Sequence, residues 1–117
     1  MNRMDKSRRA ELIAQYKEMK PQMGVYMLKC VPSGRIYLGF TQDMKSMLNR
    51  HQFMLKSGLH KCKELQREWN EYGESQFEVK VVDTLAYDKD ESKTDYTEDL
   101  ELLRDIWKDK LEHVEMI

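Results

Sequence analysis

The chain has 117 residues, a net charge of −1 at pH 7 and two cysteines. That length suits one domain with a modest core needing no staple, and no apolar run of about 18 residues is present to cross a membrane. The charged opening from Met1 to Arg9 leads into no apolar segment, so it does not read as a secretory signal, and Cys30 and Cys62 are expected reduced, in a cytoplasmic setting. Charge is spread unevenly along the chain. Residues 1–63 carry 13 Lys/Arg against 4 Asp/Glu, a net of +9, and residues 64–117 carry 7 against 17, a net of −10. Two readings of this asymmetry stand: a basic face suited to nucleic acid, or solvated helix faces of opposite sign that folding interleaves.

In chain order, residues 5–20 predict an amphipathic helix with Leu12, Ile13, Tyr16 and Met19 as its apolar stripe, stopped by Pro21. It packs on the rest of the domain or carries a basic arm (Arg3, Lys6, Arg8, Arg9) to phosphate. Gly24–Val31 and Arg35–Phe40 flank Pro32-Ser33-Gly34 and predict a β-hairpin with a tyrosine in each arm, Tyr26 and Tyr37. Thr41 or Asp43 is set to cap a helix running to about Lys56, because Met44, Met47, Leu48, His51, Met54 and Leu55 share one face. A histidine on such a stripe, His51, is by itself a hydrogen-bonded core group more often than a catalyst. A second helix is expected over Lys63–Glu71, with Leu65 and Trp69 as core residues. His51, His60 and Cys62 suggest zinc ligands only by residue type, since no metal-binding spacing joins them. Gln76–Leu85 alternates Phe77, Val79 and Val81 with Glu78 and Lys80, the period of a half-buried strand. A polar loop from Ala86 to Thr94 follows. Thr97 or Asp95 opens a last helix with Leu100, Leu103, Trp107 and Leu111 as its stripe. The expected fold class is α/β: a small, three-stranded, mainly antiparallel sheet covered by helices, in the order α-β-β-α-α-β-α.

The segments Gly24-Val25-Tyr26 and Tyr37-Leu38-Gly39 resemble the signature of the GIY-YIG nuclease superfamily. The likeness extends through Leu85 and, more weakly, to Leu111. The run from Lys63 to Gly73, with Phe77-Glu78 after it, is similar to the corresponding run in phage and intron homing endonucleases. The resemblance implies metal-assisted phosphodiester hydrolysis, with a tyrosine as general base, an arginine on phosphate and a glutamate holding Mg2+ or Mn2+. Carried onto this chain, it makes Tyr26, Tyr37 and His51 catalytic candidates and places Lys45, Arg50, His60, Lys61 and Asn70 against nucleic acid.

Two expected groups are replaced. Met47 stands at the arginine position, with Arg50 about one turn along as a displaced substitute. If Trp107 is the aromatic residue that follows the glutamate, Arg104 stands at the glutamate position, with Glu101 one turn earlier as the candidate metal ligand and Glu98 a turn before that. The resemblance therefore leaves two functions open. One is a divalent-metal-dependent endonuclease acting on DNA or, as a second choice, RNA. The other is an inactive module of the same fold that binds nucleic acid or a protein partner.

Overall fold

The computed structural model describes residues 20–117. The helix expected over residues 5–20 and the basic arm before it lie outside the described residues, apart from Lys20. The described part is a mixed four-stranded sheet with three helices. Strand β1 (Met23–Cys30) forms a hairpin with β2 (Ile36–Thr41). Helices α1 (Met44–Ser57) and α2 (Lys63–Tyr72) follow, then a short 3-10 turn over Glu74–Gln76 and strand β3 (Phe77–Leu85). Helix α3 (Thr97–Lys110) and the three-residue strand β4 (Val114–Met116) complete the order.

The sheet runs β3-β1-β2-β4. β1 pairs antiparallel with both β2 and β3, and β4 adds to the outer edge of β2 in parallel. The sheet thus has four strands where three were expected. β4 is too short to show a period, and it is entered through His113 at a φ of 58°. Leu111 is correspondingly not part of α3. Its backbone is extended, and it marks the helix's end.

The central position of β1 explains its sequence. Both faces are covered, so six of its eight residues are buried instead of alternating. One face carries Tyr26, Leu28 and Tyr37, packed by Met44 and Leu55 of α1 and by Leu65 and Trp69 of α2. The other face carries Met23, packed with Tyr96 and Leu100 at the start of α3 and flanked by Phe40, Leu85 and Tyr87. Each such large apolar side chain contributes about 1.5–3 kcal/mol on burial. Asp43 caps α1, its carboxylate accepting from the Ser46 amide at 3.2 Å.

β3 changes phase partway along. Val81 lies opposite Tyr26, and Asp83 lies opposite Val25, so Val82 is an extra residue forming a bulge. Phe77, Val79 and Val81 therefore share the face of Tyr26 and Leu28. Asp83 and Leu85 share the opposite face with α3, where Asp83 accepts a 3.0 Å bond from the Trp107 indole. The strict alternation of the sequence hides this switch.

Candidate functional site

A cleft of about 540 Å³ opens where α1, the loop after it, the β1–β2 hairpin and the end of β4 converge. Tyr26 forms part of its wall. Its ring fits because the residue opposite on β2 is Gly39. A Cβ on Gly39 would sit 2.6 Å from the Tyr26 hydroxyl oxygen, so any side chain there collides with the tyrosine. The glycine of the second sequence motif thus makes room for the tyrosine of the first.

Tyr26 begins a chain of polar contacts crossing three segments. Its hydroxyl lies 2.6 Å from His51 Nε2, and His51 Nδ1 lies 2.7 Å from His60 Nε2. The Cys62 amide then donates to His60 Nδ1 at 3.0 Å. The two imidazoles stack with centroids 5.0 Å apart and planes 21° from parallel. His51 reaches the chain from the inward stripe of α1, whereas His60 is held in the loop between α1 and α2 by Gln66. The Gln66 side chain accepts from the His60 amide at 3.1 Å and donates to the Leu55 carbonyl at 3.0 Å and to Asn70 Oδ1 at 2.9 Å. Burial pushes the Tyr26 phenol up to about 12. Burial, aided by His60 and Arg50, lowers His51 to about 4, and burial lowers His60 as well. At neutral pH all three groups are therefore uncharged.

The charge in the cleft comes from its rim, where Arg50 and Lys61 are exposed. Met47 lines the wall between them and the hairpin, with Phe40 and Met54 alongside. Among the described residues, no Asp or Glu side chain lines the cleft. Glu101, proposed from sequence as the metal ligand, is exposed on α3, which packs on the opposite sheet face, and does not line this cleft. Arg104 stacks on Phe40 at 5.1 Å from the ring centroid, so the expected glutamate position presents a cation to a residue of the cleft wall. A hard divalent cation needs oxygen donors. Among the side chains of the described residues the cleft offers only the Tyr26 phenol, and both ring nitrogens of each histidine are already in hydrogen bonds. Among the described residues, no three His, Cys, Asp or Glu side chains are grouped to hold a metal ion. The described side chains do not by themselves fit Mg2+ or Mn2+, and they do not form a zinc site, although His51, His60 and Cys62 do converge.

Three further candidates lie elsewhere. Lys45 borders a separate hollow with Lys20 and Gln22. Asn70 is exposed on α2 and serves as Gln66's acceptor. Tyr37 is wholly buried, and its hydroxyl donates to Glu68, itself 1% exposed. Burial, then that bond, raises the Tyr37 phenol far above its ordinary value. Burial opposes ionisation of Glu68, yet hydrogen bonds from Ser33, Tyr37 and Cys30 hold its carboxyl below the usual carboxylate range. Arg35 joins this second centre, with Nη1 3.2 Å from Glu64 and 3.7 Å from Glu115, and Nε 3.9 Å from Glu68. Sequence reasoning missed Glu68, Arg35 and Gln66. The available signal was position: Glu68 lies one turn after Leu65 and beside Trp69, on the buried face of α2.

Comparison with known proteins follows the same geometry. Residues 22–103 match the GIY-YIG catalytic domain. Intron-associated endonuclease 1 of Enterobacteria phage T4 is 31% identical over 67 residues, which are 57% of this chain and 27% of that protein. The chain therefore aligns with little more than a quarter of that relative's length. The solved catalytic domain of homing endonuclease I-TevI superposes with a TM-score of 0.62 at 25% identity, covering 76% of this chain and 87% of that one. A mutant of the same catalytic domain gives a TM-score of 0.62 at 23% identity, covering 77% and 84%.

Proposed function

This chain belongs to the GIY-YIG catalytic domain family, and from that premise we propose that it is a nucleic-acid-binding member, directed at DNA, whose cleft grips phosphate without hydrolysing it through a divalent cation. The observation that carries the reading is a cleft with Arg50 and Lys61 at its rim, neutral tyrosine and histidines within, and no Asp or Glu side chain among the described residues that line it. Phosphate contacts of this kind supply affinity through charge and counterion release, and they need no metal. In this reading Glu101, which does not line the cleft, is not a metal ligand, and neither Mg2+ nor Mn2+ is needed for binding. Arg50 serves as a phosphate contact in this reading.

The test is nicking of supercoiled plasmid with magnesium or manganese beside a chelator control, paired with binding of duplex DNA, RNA and a DNA competitor across a salt series. The expected result is no cleavage above the chelator control and DNA binding that weakens steeply with salt. Metal-dependent nicking lost in Glu101→Ala would overturn the reading in favour of an active endonuclease. Tighter binding of RNA would change the target. Binding of neither nucleic acid would redirect the fold to a protein partner.

A further inference from the structure

The Tyr26–His51–His60 chain ends on a group that can act in only one way. A backbone N–H donates and never accepts, and a neutral imidazole has one N–H and one lone pair. The Cys62 amide points at His60 Nδ1 at 3.0 Å, so that nitrogen must be the lone-pair side. His60 Nε2 then carries the hydrogen and donates to His51 Nδ1 at 2.7 Å. His51 Nε2 carries the next hydrogen and donates to the Tyr26 oxygen at 2.6 Å. We propose that the Cys62 amide sets the direction of this chain, so that Tyr26 accepts from His51 and presents its own hydroxyl proton to the cleft, as a hydrogen-bond donor to an anionic phosphate oxygen and not as a base.

The opposite direction fails at the loop. If Tyr26 donated to His51, His51 Nδ1 would carry the hydrogen and His60 Nε2 would have to accept it. His60 Nδ1–H would then face the Cys62 N–H at 3.0 Å, two donors with no acceptor between them. Charging either ring produces the same collision. An imidazolium at His60 donates from both nitrogens, and one at His51 forces His60 to accept on Nε2. The surroundings also disfavour a charged ring. Among the described residues, the groups facing the pair are Tyr26 from β1, Arg50 on α1 and Lys61 in the loop, with no Asp or Glu side chain lining the cleft to compensate.

The direction of the chain rests on geometry alone, while the donor role of Tyr26 rests on the proposed phosphate-binding function. With its oxygen occupied by His51, Tyr26 lies in the same cleft as Arg50 and Lys61 and adds a neutral, oriented O–H to their charge. His60 is in these terms a positioning residue. It touches no ligand and transmits the orientation of one backbone amide through His51 to Tyr26.

The test uses the full chain with 15N-labelled histidine. Long-range proton–nitrogen correlation at neutral pH assigns the tautomer of each ring without any nucleic acid present. Both His51 and His60 are expected as the Nε2–H tautomer, unchanged in Tyr26→Phe, because the direction is set at the far end. Cys62→Pro removes the only fixed donor. The native Cys62 φ of −78° already suits proline, so the fold is expected to survive, checked by amide dispersion, and the single tautomer is expected to be lost. An Nδ1–H tautomer or an imidazolium at His51 in the wild type, or a tautomer switch in Tyr26→Phe, overturns the proposed direction.

Binding of a short DNA duplex to the same samples tests the donor role. Tyr26→Phe is expected to weaken it roughly tenfold or more, the usual loss for a hydrogen bond to a charged group. Equal binding by wild type and Tyr26→Phe overturns the donor role. A wild type with the expected tautomers that binds no duplex overturns the phosphate reading and leaves the direction of the chain supported.

Discussion

Tyr26 and Tyr37 lie on adjacent strands and on one face of the sheet, yet their surroundings have little in common. Tyr26, itself only 2% exposed, meets the neutral imidazole of His51, backed by that of His60, and forms part of a cleft wall. Tyr37 meets an ionised glutamate with an arginine beside it and lines nothing open. The same residue type, twice in one motif, is at one position part of a cleft wall and at the other a tie between the hairpin and α2. The difference is made by α2, which supplies Glu68 to one tyrosine and, through Gln66, fixes the histidine loop beside the other.

The comparison is most sharply broken on the Tyr37 side. Glu68→Ala strips a buried hydroxyl of its acceptor and leaves a void. It is expected to cost on the order of 2–4 kcal/mol of stability, read from the urea midpoint. The His51 and His60 tautomers should stay as in the wild type, since Glu68 does not touch their chain. On the Tyr26 side, Gly39→Ala places a methyl group against the phenol. It is expected to destabilise by about 1–3 kcal/mol and, unlike Glu68→Ala, to weaken DNA binding in the folded protein, measured by fluorescence anisotropy.

Acid separates the two centres by sign and window. His51 is held near pH 4 against an ordinary 6.5, so below 6.5 the unfolded chain takes up a proton that the folded chain refuses. Its contribution is present above about 6.5 and is lost progressively as the pH falls towards 4. Glu68 is also held low, from an ordinary 4.5, so its contribution is present above 4.5 and is lost only below that. A thermal-midpoint series should therefore fall in two steps. Replacing His51 with Gln should flatten the first and spare the second. The smallest effect is at the rim: Arg50→Ala should leave the midpoint unchanged and lower the slope of log affinity against log salt by about 1.

Much of the fold was legible because its signals are local. Pro32-Ser33-Gly34 between two apolar runs marks the hairpin, and the Met44-to-Leu55 stripe marks α1. β4 was not legible, because three residues in parallel pairing carry no period and no turn signature. The candidate site divides in the same way. Tyr26 and His51 could be found from motif and stripe, and Arg50 from its place on α1. The link from His51 to His60 depends on the path of the loop, which Gln66 sets from the first turn of α2 by reaching back to the His60 amide and the Leu55 carbonyl. The burial of Glu68 contradicted its residue type and agreed only with its helical position. That Glu101 stands away from the cleft became visible only when α3 was placed on the other face of the sheet.

Val82 has a bearing on how this chain tolerates change. Ahead of it, β3 turns its odd-numbered residues towards α1 and α2, and after it towards α3. Val82 contributes a half-buried side chain and, with more consequence, a count. Exchanging it for another β-branched residue leaves every neighbour where it was. Deleting it would move Asp83 off Trp107 and exchange the faces of everything from Asp83 to Leu85. In this strand length is the quantity that folding requires, and a one-residue gap there would do more harm than several substitutions.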